Sequence, residues 1–449
     1  NALERQIDRI ALETLQPYAP LRVSDAMADA CDAIVHVEGV LGRAIGVRRA
    51  AARTGTPLAL LMDGVLEYAN TFLNAGAGSA FLRPAPADVV FCAGPHDRAI
   101  LRALGNRAVA TGLPRLEAFE TRVRESTVCL GPRGLLVATA NNPSFTFGGR
   151  VRLLKSLDGI RTALARRGVP VRWRIASDLA ADLGVEIDSG SLAESLSAVR
   201  GVITAASTLA LEAMIAGKPT GLLHPHPWPL WLPSAWMHRG DALDGMDEDR
   251  DRMRAAAAVS AAANAAAEAS FARAAKGVSR YESFSAGDLV DSLLTPSREL
   301  LALQDRCVRA LSRRGAASRV AAACLAMSSG LRVRAGRAAA DAASVVAEAR
   351  VPDKAPGVLR VVSCIESHES SIGGVSAWSE RMESAFASVS RRGIEWWTLF
   401  VGPDAPPATE RLAERSMARA CVVDPTEAPA LQAETVANAI RDLGADIVI

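Results

Sequence analysis

The stretch Thr204-Ala205-Ala206-Ser207-Thr208-Leu209-Ala210-Leu211-Glu212-Ala213-Met214-Ile215-Ala216-Gly217-Lys218-Pro219 decides the fold. Gly201–Thr204 is short and apolar and reads as a buried strand that runs into small residues. Ser207 and Thr208 then open a helix expected over Ser207–Ala216, and Pro219–Leu223 reads as the next strand. A buried strand feeding directly into a helix is half of a parallel α/β unit. The first turn of such a helix carries unsatisfied N–H groups and the positive end of the helix dipole, so it favours an anion. Glu212 lies about one turn further in, where a carboxylate can accept hydrogen bonds from ribose hydroxyls. The plainer alternative is that Ser207 is an N-cap and Glu212 a solvated side chain.

The same alternation extends on both sides. Upstream, Ile34–Glu38, Pro57–Met62 and Asp88–Cys92 read as strands, and helical stretches follow at Leu41–Arg53 and after Gly94. Arg107–Ala110 leads into Thr111-Gly112-Leu113-Pro114-Arg115. The pattern restarts at Gly134–Ala138, with a helix over Arg150–Arg167 and a strand over Val169–Ile175. Two such runs predict two doubly wound parallel lobes, 1–125 and 126–245. Residues 246–355 are rich in Ala and Arg and read as a helical return segment and linker. At 356–449 the α/β pattern returns and predicts a partial third lobe.

Composition sets the limits. The chain has 449 residues, 49% of them hydrophobic, which is enough for several cores and argues against disorder. A net charge of +2 gives no field for nucleic acid, so none is expected as a partner. Seven scattered cysteines without a CxxC pair point to a reducing, cytoplasmic setting, and no metal or other cofactor is expected. No apolar run reaches about 18 residues, the length needed to span a bilayer. The arginine-rich stretch from Arg306 to Arg337 suits a partner helix or peripheral contact with the inner face of a membrane. The chain begins at Asn1 and stops at Ile449 within a strand-like stretch, so both ends read as truncated.

The 204–219 string resembles the donor-site signature in the second lobe of GT-B-fold glycosyltransferases, and Thr111-Gly112-Leu113-Pro114-Arg115 resembles the end of the first lobe in polysaccharide-type members. The resemblance covers about residues 34–236. It implies that Ser207 and Thr208 meet the diphosphate of a nucleotide sugar and that Glu212 meets its ribose. At the end of the second strand, related transferases carry His-Gly where this chain has Asp63-Gly64. An Asp there can serve as general base on an acceptor hydroxyl, and Glu38, at the neighbouring strand end, is the other candidate. Asp-Gly is equally a common turn.

Further candidates follow from position. Asn141 and Asn142 lie after the first strand of the second lobe, where the switch-point rule places ligands. Arg150, Arg152 and Lys155 on the next helix can neutralise diphosphate, or form a solvated helix face. His224 and His226, in His224-Pro225-His226-Pro227-Trp228, lack the companions a zinc site needs, so a Pro-braced loop touching nucleotide or sugar is expected, or a purely structural one. Gly373-Gly374 resembles the first-lobe donor loop of retaining glycosyltransferases, which implies the start of a second module.

The expectation is therefore a hexosyltransferase acting from a nucleotide-sugar donor on a glycan or lipid-linked acceptor in surface polysaccharide biosynthesis. Alternatives on the same fold are a nucleotide-sugar 2-epimerase, a glycerol-phosphate transferase, or a non-catalytic carbohydrate- or nucleotide-binding module. Nothing in the sequence fixes the oligomeric state.

Overall fold

The computed structural model describes residues 33–37, 47–48, 51–62, 64–72, 82–85, 87–125, 134–140, 147–232, 236–240, 247–283, 285–309, 315–335, 358–366, 382–388, 394–402, 417–422, 436, 438–441, 443 and 445–448. The first strands are β1 (Ala33–Val37), β2 (Leu58–Leu61), β3 (Val89–Cys92) and β4 (Ala108–Ala110), with helices α1 (Tyr68–Phe72) and α2 (Pro95–Ala103) between them. Helix α3 (Pro114–Glu125) crosses to β5 (Leu135–Ala138). Then come α4 (Phe147–Arg166), β6 (Val171–Arg174), α5 (Ser177–Leu183), α6 (Leu192–Ser197), β7 (Gly201–Ala205), α7 (Thr208–Ile215), β8 (Thr220–Leu223) and β9 (Trp236–His238). Next are α8 (Asp247–Ala275), β10 (Tyr281–Ser283), α9 (Ala286–Leu294), α10 (Arg298–Arg309) and α11 (Ala316–Ala335). Strands β11 (Leu359–Glu366), β12 (Ile394–Gly402), β13 (Met417–Val422) and β14 (Ile447–Val448) complete the set.

Two sheets result, with the orders β13-β12-β11-β14-β1-β2-β3-β4 and β10-β9-β8-β7-β5-β6. Every pairing among the described strands is parallel. The expected two-lobed α/β architecture is present. Apolar strands covered on both faces explain why the runs at 58–61, 89–92 and 135–138 are hydrophobic at every position.

The expected partial third lobe is not a sheet of its own. Strand β14 pairs with β11 through Val361 and Val362 and with β1 through Ala33 and Ile34, so β11–β14 extend the first sheet. Two open edges are thereby removed at once: without this pairing β1 would have β2 as its sole neighbour, and β14 would end the C-terminal group. Taken with the C-terminal strands first, the order becomes that of a doubly wound sheet, with its switch point between β11 and β14.

The expected linker is also structural. Helix α8 packs along α2, where Ala256, Ala263 and Ala267 join the core of the first lobe. Its far end contributes Phe271 and Ala275 to the core of the second. Alanine leaves the helix surface narrow enough for this close approach. The stretch also contains β10, the edge strand of the second sheet. Helix α11 buries Ala317, Val320, Ala321 and Cys324 on the first sheet. Among the described residues, no helix is long and apolar enough to cross a membrane.

Candidate functional site

In the second sheet β5 has β6 on one side and β7 on the other. The connections leaving β5 and β7 therefore diverge, and the crevice between them is the switch point where such sheets bind ligands. All five residues of β7 are buried, and Ala206-Ser207 turns the chain into α7. Ser207 occupies the N-cap position in an extended conformation (φ −164°, ψ 166°), yet its side chain makes no capping hydrogen bond. Its Oγ lies 3.4 Å from Thr204 Oγ1 instead. The Ala210 N–H bonds back to the Ser207 carbonyl at 3.1 Å, and the first amides of α7 receive no side-chain cap from Ser207.

The first lobe meets this helix end directly. The Val65 N–H donates to Thr208 Oγ1 at 3.2 Å. At Gly64 a Cβ would stand 2.2 Å from the same oxygen, so the loop after β2 approaches α7 as closely as a side chain-free residue allows.

Glu212 is 6% exposed and is not a solvated side chain. Its Oε1 accepts from the Arg115 guanidinium at 3.3 Å. Arg115 stands at the start of α3, the crossover between the lobes, and its own side chain is 43% exposed. Two residues on, the Glu117 carboxylate accepts the N–H groups of Gly315 and Ala317 at 2.7 and 3.0 Å, capping α11. Arg319 of α11 donates to the Thr111 carbonyl at 2.7 Å. The segment Thr111-Gly112-Leu113-Pro114-Arg115 is therefore fixed from the α7 side and from the α11 side.

The remaining candidates fall elsewhere. Arg150 is bound to Asp178 and Asp182 of α5 at 2.8 and 2.7 Å, the helix-face role. Arg152 is buried and donates to the Pro225 carbonyl at 3.0 Å, bracing the His-Pro loop. His224 is buried, its Nε2 is 2.7 Å from the Trp228 carbonyl oxygen, and burial pushes its pKa down to about 4. His226 stacks flat on Trp228, with ring centroids 4.0 Å apart. The pair is an internal brace of this loop. Among the described residues no group of three or more His, Cys, Asp or Glu could hold a metal ion. Asp63, Glu38, Asn141, Asn142, Gly373 and Gly374 lie outside the described residues.

Two residues not singled out from sequence sit where β3 ends. Asp97, in the first turn of α2, is buried. Burial raises its carboxyl to about pKa 7, against the opposing effect of a hydrogen bond with the Ala93 backbone. The neighbouring His96 ring is hydrogen-bonded to the Trp231 carbonyl oxygen, and burial lowers its pKa to about 4. The signal was available: Gly94-Pro95-His96-Asp97 directly follows a buried strand, at the sheet edge where titratable groups reach a cleft.

No family model matches the chain, and no curated protein matches it. Among solved structures it is similar to a Staphylococcus aureus MnaA–UDP complex, at 10% identity and TM-score 0.42, over 72% of this chain and 79% of that one. It is also similar to a UDP-GlcNAc 2-epimerase from Methanocaldococcus jannaschii, solved with UDP-GlcNAc and UDP, at 12% identity and TM-score 0.37, over 68% and 80%. Acinetobacter baumannii MurG is a third, at 15% identity and TM-score 0.31, over 67% and 72%. Likenesses this distant assign no activity; the two-sheet architecture stands on the strand pairing itself.

Proposed function

We propose that this chain is a nucleotide-sugar-dependent glycosyltransferase that moves a hexosyl group to a glycan or lipid-linked acceptor in surface polysaccharide synthesis. The observation that carries the reading is the amide end of α7. It opens at the switch point of one sheet, is not capped by the Ser207 side chain, and faces the Gly64–Val65 loop of the other lobe. A donor diphosphate fits there, with Ser207 and Thr208 as hydroxyl partners and the helix dipole stabilising the negative charge. Glu212, held by Arg115, is one turn away for the ribose.

In the transfer, the acceptor hydroxyl oxygen attacks the anomeric carbon while a carboxylate takes its proton, and the nucleoside diphosphate leaves with the bonding electron pair. The helix end stabilises the charge that grows on the leaving group. Asp63, which precedes Gly64 in the sequence, is the proposed base.

The test is a thermal-shift screen of nucleotide sugars, because a ligand bound only to the folded state raises the melting temperature by mass action. The donor found is then incubated with and without glycan acceptors. Nucleoside diphosphate released only with an acceptor supports transfer. Turnover of the sugar without an acceptor identifies an epimerase. Stabilisation without any turnover identifies a binding module.

A further inference from the structure

The second sheet carries two separate layers of helices. Leu136, Ala138 and Val202 face the α7 side, whereas Leu135, Val137 and Ile203 face α4 and α9. On the α4 side, away from the amide end of α7, lies a cavity of about 560 Å³. Lys155, Ser156, Thr162 and Arg166 of α4 line it, with His238 at the end of β9 and Ser285 before α9. No acidic side chain is among the described residues that line it.

The cations in this cavity are not equivalent. Arg167 is spent on Asp291 through two hydrogen bonds of 2.7 Å. The first amides of α9 are taken by the Ser285 hydroxyl. Lys155 and Arg166 have no ion pair among the described residues, although Arg167 beside them shows that a carboxylate can be placed there. They stand three turns apart on one helix, about 16 Å along its axis. With both long side chains turned into the cavity, that spacing suits a ligand with an anionic group at each end, with the hydroxyls of Ser156 and Thr162 between.

We propose that this cavity binds an elongated small molecule carrying two anionic groups, of the polyphosphate or bisphosphate class, held at one end by Lys155 and at the other by Arg166. The site is independent of the donor helix, since the sheet separates them. Opposed charges at both ends, rather than an apolar lining, give the recognition, so binding weakens as salt rises.

Isothermal titration calorimetry of the whole chain at fixed ionic strength tests this, with inorganic tripolyphosphate as probe and inorganic phosphate as control. The expected result is saturable binding of tripolyphosphate at least tenfold tighter than phosphate. Lys155→Gln and Arg166→Gln each weaken it several-fold, and Thr208→Val leaves it unchanged. Both substituted cations are exposed, so these variants keep the fold. The absence of saturable binding overturns the proposal. So does equal affinity for the two probes, or binding that Thr208→Val removes while the Lys155 and Arg166 variants retain it. Binding removed by Thr208→Val would put the probe at the amide end of α7 instead, so the two faces of the sheet are read apart: loss with Lys155 and Arg166 reports this cavity, loss with Thr208 the donor site.

Discussion

Thr208 Oγ1 accepts the Val65 N–H at 3.2 Å, so the first residue of α7 in one lobe is tied to the loop after β2 in the other. The same oxygen lies where a Cβ on Gly64 would come within 2.2 Å. Gly64→Ala is expected to cost about 1–3 kcal/mol, the usual range for overpacking. In a Thr208→Ala background the clash is gone, and the same substitution should be close to neutral. Urea denaturation of the four proteins of this double-mutant cycle checks it; a cost for Gly64→Ala that is independent of Thr208 would refute the contact.

The Arg115–Glu212 pair is asymmetric in burial, and its two halves should fail differently. Removing Glu212 takes a carboxylate from an arginine whose side chain is 43% exposed to water. Removing Arg115 takes a cation from a buried carboxylate. Arg115→Ala should therefore destabilise the fold more than Glu212→Ala does, by about 1–2 kcal/mol. Glu212→Ala should instead weaken nucleotide-sugar binding by about 1–3 kcal/mol, read by calorimetry with the donor found in the screen.

His96 and His224 are both held near pKa 4 by burial, below an ordinary value of 6.5. A lowered histidine pKa means that the unfolded chain binds protons the native chain refuses. Stability from these residues is present above pH 6.5 and is lost as pH falls toward 4, by up to about 3 kcal/mol for each. His96→Gln should flatten the fall in unfolding free energy between pH 6.5 and 4, measured by denaturant titration at several pH values. An unchanged slope would show that the ring is not buried neutral.

Asp97 has the opposite sign. Its carboxyl is raised from 3.8 to about 7, so the native chain keeps a proton that the unfolded chain releases. The associated stability is present below pH 3.8 and lost as pH rises toward 7. Asp97→Asn, which keeps an acceptor for Ala93, should gain about 2–4 kcal/mol relative to the parent on going from pH 4 to pH 8.

Much of the architecture was legible because buried parallel strands are apolar at every position. The runs at 58–61, 89–92 and 135–138 stand out for that reason. Short edge strands do not share the signal. Trp236–His238 and Tyr281–Ser283 contain His238, Glu282 and Ser283, and neither reads as a strand until it pairs. The C-terminal strands were readable as strands, but not their sheet: local pattern names an element, while its neighbour is chosen by which edge is open. The same holds at the site. The strand-to-helix turn at Ser207–Thr208 is local, so the sequence exposes it. The Arg115 partner of Glu212 is 97 residues away, and no periodicity links the two.

The insertion of β14 beside β1 has a consequence for the order of assembly. Ala33 pairs with Ile447, so one of the first strands made waits for one of the last. While the chain is emerging from the ribosome, β1 can pair with β2 but must leave its other edge open, and such edges recruit foreign strands. Closing so long a loop is slow compared with local pairing. The nascent first lobe therefore keeps that edge open until β14 is made, and slowing synthesis between β11 and β14 should lower the soluble yield more than slowing it anywhere between β5 and β10.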